Sequence, residues 1–171
     1  LLLPIEFYST EHSIKKSIKK TPYFVKYKKE SIFVKDNVTV EIPEYAFYND
    51  FYLNFDFSNE ILTLHDDSVP VHKNITITFN DVKGLTEEQL AKTYIATLDG
   101  YKLDYNKTYR KGNSFSIKTK TLGKYKLAQD ITPPRIYNVN FVEGKTLSTQ
   151  KTISVSITDL QSDINTYNGY L

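Results

Sequence analysis

Four residues whose side chains can bind divalent metals lie close together in the sequence: His65, Asp66, Asp67 and His72. Imidazoles and carboxylates are ligands that zinc accepts. Pro70 and the start of a predicted strand separate the two histidines, however, and the helical motif of zinc peptidases is absent. We therefore interpret this segment as a polar β-turn with exposed histidines, and we predict no metal site.

Other catalytic chemistry has little support in the sequence. No serine lies in a Gly-x-Ser-x-Gly elbow, only three histidines are present as bases, and the six glycines are scattered. Because the chain has no cysteine, thiol nucleophiles, disulfides and thiolate metal sites are excluded. The sequence therefore predicts no catalytic residue and no cofactor in this chain.

One short stretch carries more aromatic side chains than a single core face can accept. Five of them fall within eight residues. We expect core packing to take most of them, and the rest to be exposed, where they would stack on sugar rings or contact a partner protein. This aromatic elbow consists of Tyr45, Phe47, Tyr48, Phe51 and Tyr52.

A lysine-rich stretch near the N-terminus is the second candidate surface. Ser-Ile-Lys-Lys occurs twice in succession over residues 13–20, followed by Tyr23, Phe24 and Tyr27. Such a surface would bind an anionic glycan, and we predict no nucleic-acid partner. A solvated edge strand that discourages aggregation explains the same pattern, and we favour it. The candidate contact residues are Lys15, Lys16, Lys19 and Lys20.

Asp67-Ser68-Val69 resembles a short Asp-Ser/Thr-hydrophobic sequence that some Gram-negative bacteria O-glycosylate in exported proteins. Because this segment is a predicted exposed turn, Ser68 is a candidate O-glycosylation site. The N-glycosylation pattern occurs at Asn37, Asn74 and Asn106. We interpret those three matches as chance, since Asn and Thr are common where strands begin.

β-Strand patterns dominate the chain. Apolar and polar residues alternate over residues 38–42, 51–57 and 75–79, which predicts strands with one buried face. Asp99-Gly100 predicts a hairpin with a type I′ turn, and Lys-Gly-Asn at residues 111–113 a second hairpin. The strand pattern resumes over residues 123–128.

One short helix is predicted over residues 85–92. Thr86 and Gln89 have the spacing of a capping box, and Glu87 and Glu88 suit a helix N-terminus. The helix can span little more than two turns.

Pro133-Pro134 marks a boundary, because adjacent prolines cannot join a central β-ladder. Further strands are predicted over residues 136–141 and 152–158, with Ile153, Val155 and Ile157 inward. The predicted fold class is all-β. A basic, strand-rich segment (residues 1–29) precedes an Ig-like antiparallel β-sandwich (residues 30–129), and a second, partial Ig-like module follows (residues 132–171). Since the sequence begins without Met, we expect a piece of a longer protein.

Several short phrases stand along the chain in a familiar order. They are Thr-Pro-Tyr-Phe-Val at residues 21–25, Ile-Pro-Glu with Ala-Phe-Tyr and Asp within residues 42–50, Val-Pro-Val-His-Lys at 69–73, Lys-Thr-Tyr-Ile-Ala at 92–96, Leu-Gly, Tyr and Leu-Ala within 122–128, and the Pro-Pro pair. In this order they resemble the non-catalytic C-terminal region of lysostaphin-type zinc metallopeptidases, the peptidoglycan endopeptidases, of Gram-negative bacteria.

In that family the peptidase domain binds zinc through a His-x-x-x-Asp pair and a His-x-His pair, and neither motif occurs here. The resemblance therefore implies an accessory role beside a peptidase domain in the cell envelope, either periplasmic or at the outer membrane. Expected partners are envelope proteins, the upstream peptidase domain, or peptidoglycan. The alternatives are a structural subunit of an envelope assembly and a glycan-binding module. We expect no membrane span.

Overall fold

A computed structural model of the chain describes residues 20–159, except for residues 138, 143, 145 and 147. Within these residues, nearly all regular structure is β-strand. The strands are β1 (Phe24–Val25), β2 (Ser31–Lys35), β3 (Val38–Ile42), β4 (Phe51–Tyr52), β5 (Phe55–Ser58), β6 (Ile61–Leu64), β7 (Ile75–Phe79), β8 (Thr93–Asp99), β9 (Lys102–Tyr105), β10 (Tyr109–Lys111), β11 (Ser114–Thr119), β12 (Gly123–Gln129), β13 (Arg135–Tyr137) and β14 (Ser156–Thr158). One helix, α1 (Glu87–Ala91), lies between β7 and β8.

Two five-stranded antiparallel sheets form the body of the protein. The first has the strand order β10-β11-β7-β3-β2, and the second has the order β5-β6-β12-β8-β9. The inner faces pack against each other, since the rings of Phe57 on β5 and Phe79 on β7 lie 5.9 Å apart between centroids. The predicted all-β class and the antiparallel sandwich are confirmed.

Alternation along the strands builds the core. In β3, Val38, Val40 and Ile42 are at most 1% exposed, whereas Glu41 between them faces solvent. Each fully buried large apolar side chain contributes about 1.5–3 kcal/mol relative to an exposed one. The largest fully buried side chains are Tyr125, Phe79, Phe115, Ile42, Leu53, Leu62, Leu64, Ile75, Ile77, Ile95, Ile117 and Val25.

Part of the predicted N-terminal segment packs into this core. Val25 on β1 is fully buried, and β1 pairs with β4. The Thr21 hydroxyl donates to the Leu53 carbonyl over 2.6 Å, and the Leu53 N–H donates to the Tyr23 carbonyl. The chain over residues 21–25 therefore packs against the sandwich in three dimensions.

Tyr125 forms the corner where the chain passes from one sheet to the other between β11 and β12. Its hydroxyl donates to the backbone carbonyl of Thr121 over 2.7 Å, and its ring is fully buried. Ig-type sandwiches use a tyrosine in the same way, hydrogen-bonded to backbone a few residues upstream at an inter-sheet corner. This feature supports the predicted Ig-like character.

The predicted hairpin at Asp99-Gly100 is confirmed, but the predicted turn type was wrong. Asp99 pairs with Lys102, so the two loop residues are Gly100 and Tyr101. Gly100 has a φ of 57°, whereas Tyr101 is not among the residues with positive φ. A positive φ at only the first loop residue is typical of a type II′ turn, whose first central position prefers glycine.

The capping box predicted for the helix is also confirmed. The backbone N–H of Gln89 donates to the Thr86 hydroxyl over 3.3 Å, and the Gln89 side chain accepts from the Thr86 N–H over 2.9 Å. Leu90 is the buried residue that attaches α1 to the sandwich. In the part of the chain that the structure describes, no helix is long and apolar enough to cross a membrane.

Beyond the Pro-Pro boundary, β13 and β14 form an antiparallel pair. Both strands are shorter than predicted, and the prediction that Ile153 and Val155 point inward was wrong for the described residues. Their side chains are 53% and 45% exposed, and Ile136 is 65% exposed. Two paired strands satisfy each other's backbone hydrogen bonds, but no second layer covers their faces. Their apolar side chains therefore stay in solvent.

An ion pair between Lys35 on β2 and Asp56 on β5 links the edges of the two sheets. Hydrogen bonds from Lys35 and then Ser58 hold the pKa of the Asp56 carboxyl below its ordinary value. A lowered pKa in the folded state contributes stability that is present above the unfolded value, about 3.9, and is lost as pH falls through the folded pKa.

We therefore expect Asp56→Asn to remove part of the acid dependence of stability. Urea unfolding midpoints, followed from neutral pH down to about pH 2, should fall less steeply for the variant than for the wild type. Asp67→Asn, at an exposed carboxylate in the 65–68 turn, is the matched control. An Asp56→Asn curve that runs parallel to the wild-type curve would contradict the contribution of this pair.

Candidate docking cleft at the aromatic elbow

The aromatic elbow connects the two sheets. β3, in the first sheet, ends at Ile42, and β5, in the second, begins at Phe55. The continuous strand predicted over residues 51–57 is broken into β4 and β5, because β4 pairs with β1 whereas β5 pairs with β6. The change of partner leaves the elbow as a loop at one end of the sandwich.

The structure divides the five elbow aromatics between core and surface. Phe47 is 3% exposed, whereas Tyr45 and Tyr48 are 46% and 60% exposed. Phe51 and Tyr52 are half-buried, with the Phe51 ring 4.8 Å from that of Phe47. Core packing therefore accounts for Phe47 and Phe51, Tyr52 packs on the ring of Phe24, and the two most exposed tyrosines form the surface.

The polar turn that contains His65 and His72 packs directly against the elbow. The His72 N–H donates to the Ala46 carbonyl over 2.7 Å, and the Tyr48 hydroxyl lies 3.3 Å from His72 Nδ1. The ring of His65 lies 5.1 Å from that of Phe51. Two segments that the sequence presents as separate candidates thus form one surface.

An open cleft of about 280 Å³ lies between these two segments. Its walls are mainly apolar, and their polar side-chain groups are those of Asn49, Ser68 and the Tyr48 hydroxyl. Its size is just below that of most small-molecule pockets, roughly 300–1,000 Å³. The cleft therefore suits one inserted side chain or one ring. The residues that line it are Phe47, Tyr48, Asn49, Phe51, Ser68, Val69 and Pro70.

Lysines and tyrosines continue this surface beside the cleft. Lys73 Nζ lies 5.3 Å from the ring centroid of Tyr45 and donates to the Glu44 carbonyl over 2.9 Å. The Tyr45 ring meets that of Tyr27 edge-on, and Lys28 Nζ lies 5.3 Å from the Tyr27 ring. Contact with Tyr27 raises the pKa of Lys28. The rim is therefore aromatic and carries two lysines, with the Asp50 carboxylate accepting from the Tyr27 N–H beside them.

The two histidines already have structural partners. His65 Nδ1 accepts from the Asn54 backbone N–H over 3.1 Å, and His72 Nδ1 faces the Tyr48 hydroxyl. Among the described residues, no group of three or more His, Asp or Glu side chains is arranged to hold a metal ion. The histidines thus help to hold the elbow and the turn together.

Ser68 is exposed in this turn. Its backbone N–H donates to Asp66 Oδ1 over 3.0 Å, and its hydroxyl donates to the same carboxylate oxygen. Whether the hydroxyl is modified stays a prediction. Of the four lysines proposed near the N-terminus, Lys20 is described and exposed, whereas Lys15, Lys16 and Lys19 lie outside the described residues.

A wider groove of about 580 Å³ lies at the opposite end of the sandwich, where β12 ends at Gln129. Phe57, Phe79, Leu85 and Leu127 form its floor. None of the candidate interaction residues lies in it. The cleft at the elbow, where exposed tyrosines adjoin an apolar recess, is therefore the better candidate for recognition.

The elbow, the turn and the sandwich all lie within one match to a known family. The family model of the Zu5-like domain matches residues 22–130, from just before β1 to the end of β12. No curated protein and no solved structure matches the chain. The resemblance to lysostaphin-type peptidases names a more specific family than this match does, and it stays a hypothesis. Because the match spans well over half of the chain, the protein belongs to the Zu5-like domain family.

Proposed function

We propose that this chain is a non-catalytic docking module of a metallopeptidase-like protein of the cell envelope. The resemblance of the ordered phrases to lysostaphin-type peptidases supports the envelope location and the peptidase neighbour. The lack of either zinc motif in the sequence supports a role that is accessory to catalysis. The partner is a protein, either the upstream peptidase domain or another envelope component.

The observation that carries this proposal is the cleft between the elbow and the turn. Its floor and walls include Phe47, Phe51, Val69 and Pro70, so an apolar side chain would lose water on entering it. Tyr48 stands at its edge with more than half of its surface exposed. Tyrosine beside a desolvated recess is typical of the residues that dominate protein interfaces.

Glycan binding is the second candidate, and the exposed ring faces favour it. Tyr45 and Tyr48 could stack on sugar rings, and Lys28 and Lys73 provide positive charge beside them for an anionic glycan such as peptidoglycan. Inside the cleft, however, the polar side-chain groups are those of Asn49, Ser68 and the Tyr48 hydroxyl, which already faces His72. A sugar needs several directional hydrogen bonds, so we rank a protein partner first.

A structural subunit of an envelope or outer-membrane assembly is the third candidate. The β13–β14 region favours it, because apolar side chains such as Ile131, Ile136 and Val142 are between 65% and 79% exposed there. In that case the assembly would cover this region rather than the elbow.

A photo-crosslinking residue in place of Tyr48, in the parent protein in its native host, is the direct test. We expect crosslinks to one defined protein, whereas a crosslinker in place of Tyr109, which is 54% exposed on β10, should give none. With that partner purified, Tyr48→Ala should weaken binding by about 2 kcal/mol, roughly thirtyfold, as for other buried interface tyrosines.

Two further assays separate the candidates. Retention of the purified chain on peptidoglycan sacculi, lost in Tyr45→Ala and Tyr48→Ala, would favour the glycan-binding candidate instead. Zinc-dependent hydrolysis of peptidoglycan by this chain alone would overturn the non-catalytic role. Recovery of the protein in the cytoplasmic fraction of its native host would overturn the envelope location.

A further inference from the structure

The edge of the first sheet at β2 has an unusual combination of features. Among the described residues, β2 pairs only with β3 and so ends the sheet. Its sequence, Ser-Ile-Phe-Val-Lys, is apolar and β-branched at the centre. An edge of this kind is a template for pairing with another strand unless it is shielded.

The backbone groups that β2 leaves unpaired can be assigned from its register. Lys35 pairs with Val38 across a two-residue turn, so these two residues exchange hydrogen bonds, and pairs alternate from there. Phe33 consequently bonds to β3, whereas the N–H and C=O groups of Ile32 and Val34 point away from it. Within residues 20–159 as the structure describes them, these four backbone groups have no strand partner at the edge.

The side chains of the same two residues are aliphatic on a face that is polar across the central strands, with the Tyr109 ring at its far edge. Ile32 and Val34 are 58% and 61% exposed on the outer face of the sheet. Their neighbours across β3, β7 and β11 on that face are polar: Thr39, Glu41, Thr76, Thr78, Ser116 and Lys118. The exposed aliphatic surface on this face therefore lies at the β2 edge, where the side chains of an added strand would pack beside it.

The usual protection of an edge strand is weak at β2. Its one charged residue, Lys35, is directed toward Asp56 of the second sheet and forms an ion pair there. By contrast, β9 carries Lys102 and Asp104, and β10 carries Arg110 and Lys111 along short, exposed strands. Charge discourages pairing at those edges but not along the centre of β2.

The sequence of β2 is complementary to itself in the antiparallel direction. If two copies pair about a two-fold axis at Phe33, Ile32 of each copy lies opposite Val34 of the other, and Ser31 lies opposite Lys35. Ile32 and Val34 are the residues with free backbone groups, so this register forms four hydrogen bonds between the strands. No like charges face each other between the two paired β2 strands.

We propose that β2 pairs with β2 of a second copy of this chain, which joins the first sheets of two molecules into one continuous ten-stranded antiparallel sheet. Isologous pairing of this kind closes as a dimer and leaves no further β2 edge free. The four exposed apolar side chains form a row across the two-fold axis. This surface is separate from the docking cleft, so the two proposals stand or fall independently.

Sedimentation equilibrium of the chain over a range of concentrations tests the proposal. We expect a reversible monomer–dimer equilibrium, and Ile32→Lys or Val34→Lys should raise the dimer Kd by at least about tenfold, since each places a charge in the apolar row. Tyr109→Lys, on the opposite edge of the same sheet, is the control and should leave the Kd unchanged.

Hydrogen exchange measured on the same samples distinguishes pairing with a second copy from pairing with another segment of the same chain. Amides of Ile32 and Val34 should gain protection as the dimer forms. A monomer at every concentration overturns the proposal, whether its edge amides exchange rapidly or are protected by another segment of the chain. A dimer that tolerates both lysine substitutions overturns it as well.

A cysteine variant tests the register without relying on a destabilising change. Because the chain has no cysteine, Ile32→Cys/Val34→Cys introduces the only thiols. Under mild oxidation we expect a covalent dimer linked between positions 32 and 34 of opposite chains, as identified by mass spectrometry. Tyr109→Cys/Lys111→Cys on β10 is the matched control and should stay monomeric, and an equal dimer yield from it would overturn the assigned register.

Discussion

Replacing Tyr125 by alanine is expected to lower the free energy of unfolding by about 3–5 kcal/mol, as for other large buried aromatic side chains. The ring is fully buried and lies between Leu62 on β6 and Thr97 on β8 in the register of the second sheet. Its hydroxyl fixes the corner by donating to the Thr121 carbonyl. The substitution therefore removes both core volume and the hydrogen bond that fixes the corner between the sheets.

Tyr125→Phe separates these two effects. It keeps the ring and deletes only the hydroxyl, so we expect a loss of about 1–2 kcal/mol, the cost of leaving the partner carbonyl without its donor. Tyr109→Ala is the exposed control and should change stability by less than about 0.5 kcal/mol. Urea denaturation followed by tyrosine fluorescence measures all three. Equal losses for Tyr125→Ala and Tyr125→Phe would show that the ring is not a core element.

Local patterns in the sequence specify most individual elements of this fold. The alternation in residues 38–42 and 75–79 correctly places Val40 and Ile77 inward, and the same register aligns them as direct partners. The capping box at Thr86 and the glycine turns depend on interactions within a few residues. For this reason they can be predicted from sequence with little knowledge of the rest of the chain.

Features that depend on distant partners could not be predicted in the same way. The alternation in residues 51–57 is real, but the strand breaks because Phe51 pairs with Val25 while Phe55 pairs with Leu64. Nothing local in that stretch encodes a change of partner. The exposed side chains of Ile153 and Val155 have the same cause, because alternation predicts a buried face only where another layer covers it.

In the candidate site, too, some features follow from local sequence and others depend on distant partners. The excess of aromatic residues in the elbow predicted that some would be exposed, but not that Phe47 would be buried while its neighbour Tyr48 is exposed. The contact with the 65–73 turn depends on long-range pairs such as Tyr48 with His72. The role of Tyr125 was also missed, although alternation over residues 123–128 places it on the same face as Leu127.

Phe47→Ala is the second substitution expected to have a large effect, with a loss of about 3 kcal/mol or more in the free energy of unfolding. The side chain is 3% exposed, packs edge-on against Phe51, and belongs to the same core as Val25 and Ile42. Its removal leaves a cavity under the elbow and takes away one wall of the cleft. Tyr48→Ala, one residue further on, should cost about 1 kcal/mol or less, because that side chain is mainly in solvent and loses only its exposed contact with His72.

The contrast between these neighbours, measured by urea denaturation, decides how docking data at the elbow are to be interpreted. If Tyr48→Ala keeps the wild-type unfolding midpoint and still loses its partner, the loss reflects a missing contact at the surface. Phe47→Ala would lose the partner for a different reason, since the recess itself is built on that ring. Comparable and small losses of stability for both variants would contradict a packed elbow, and with it the fixed shape on which recognition by the cleft depends.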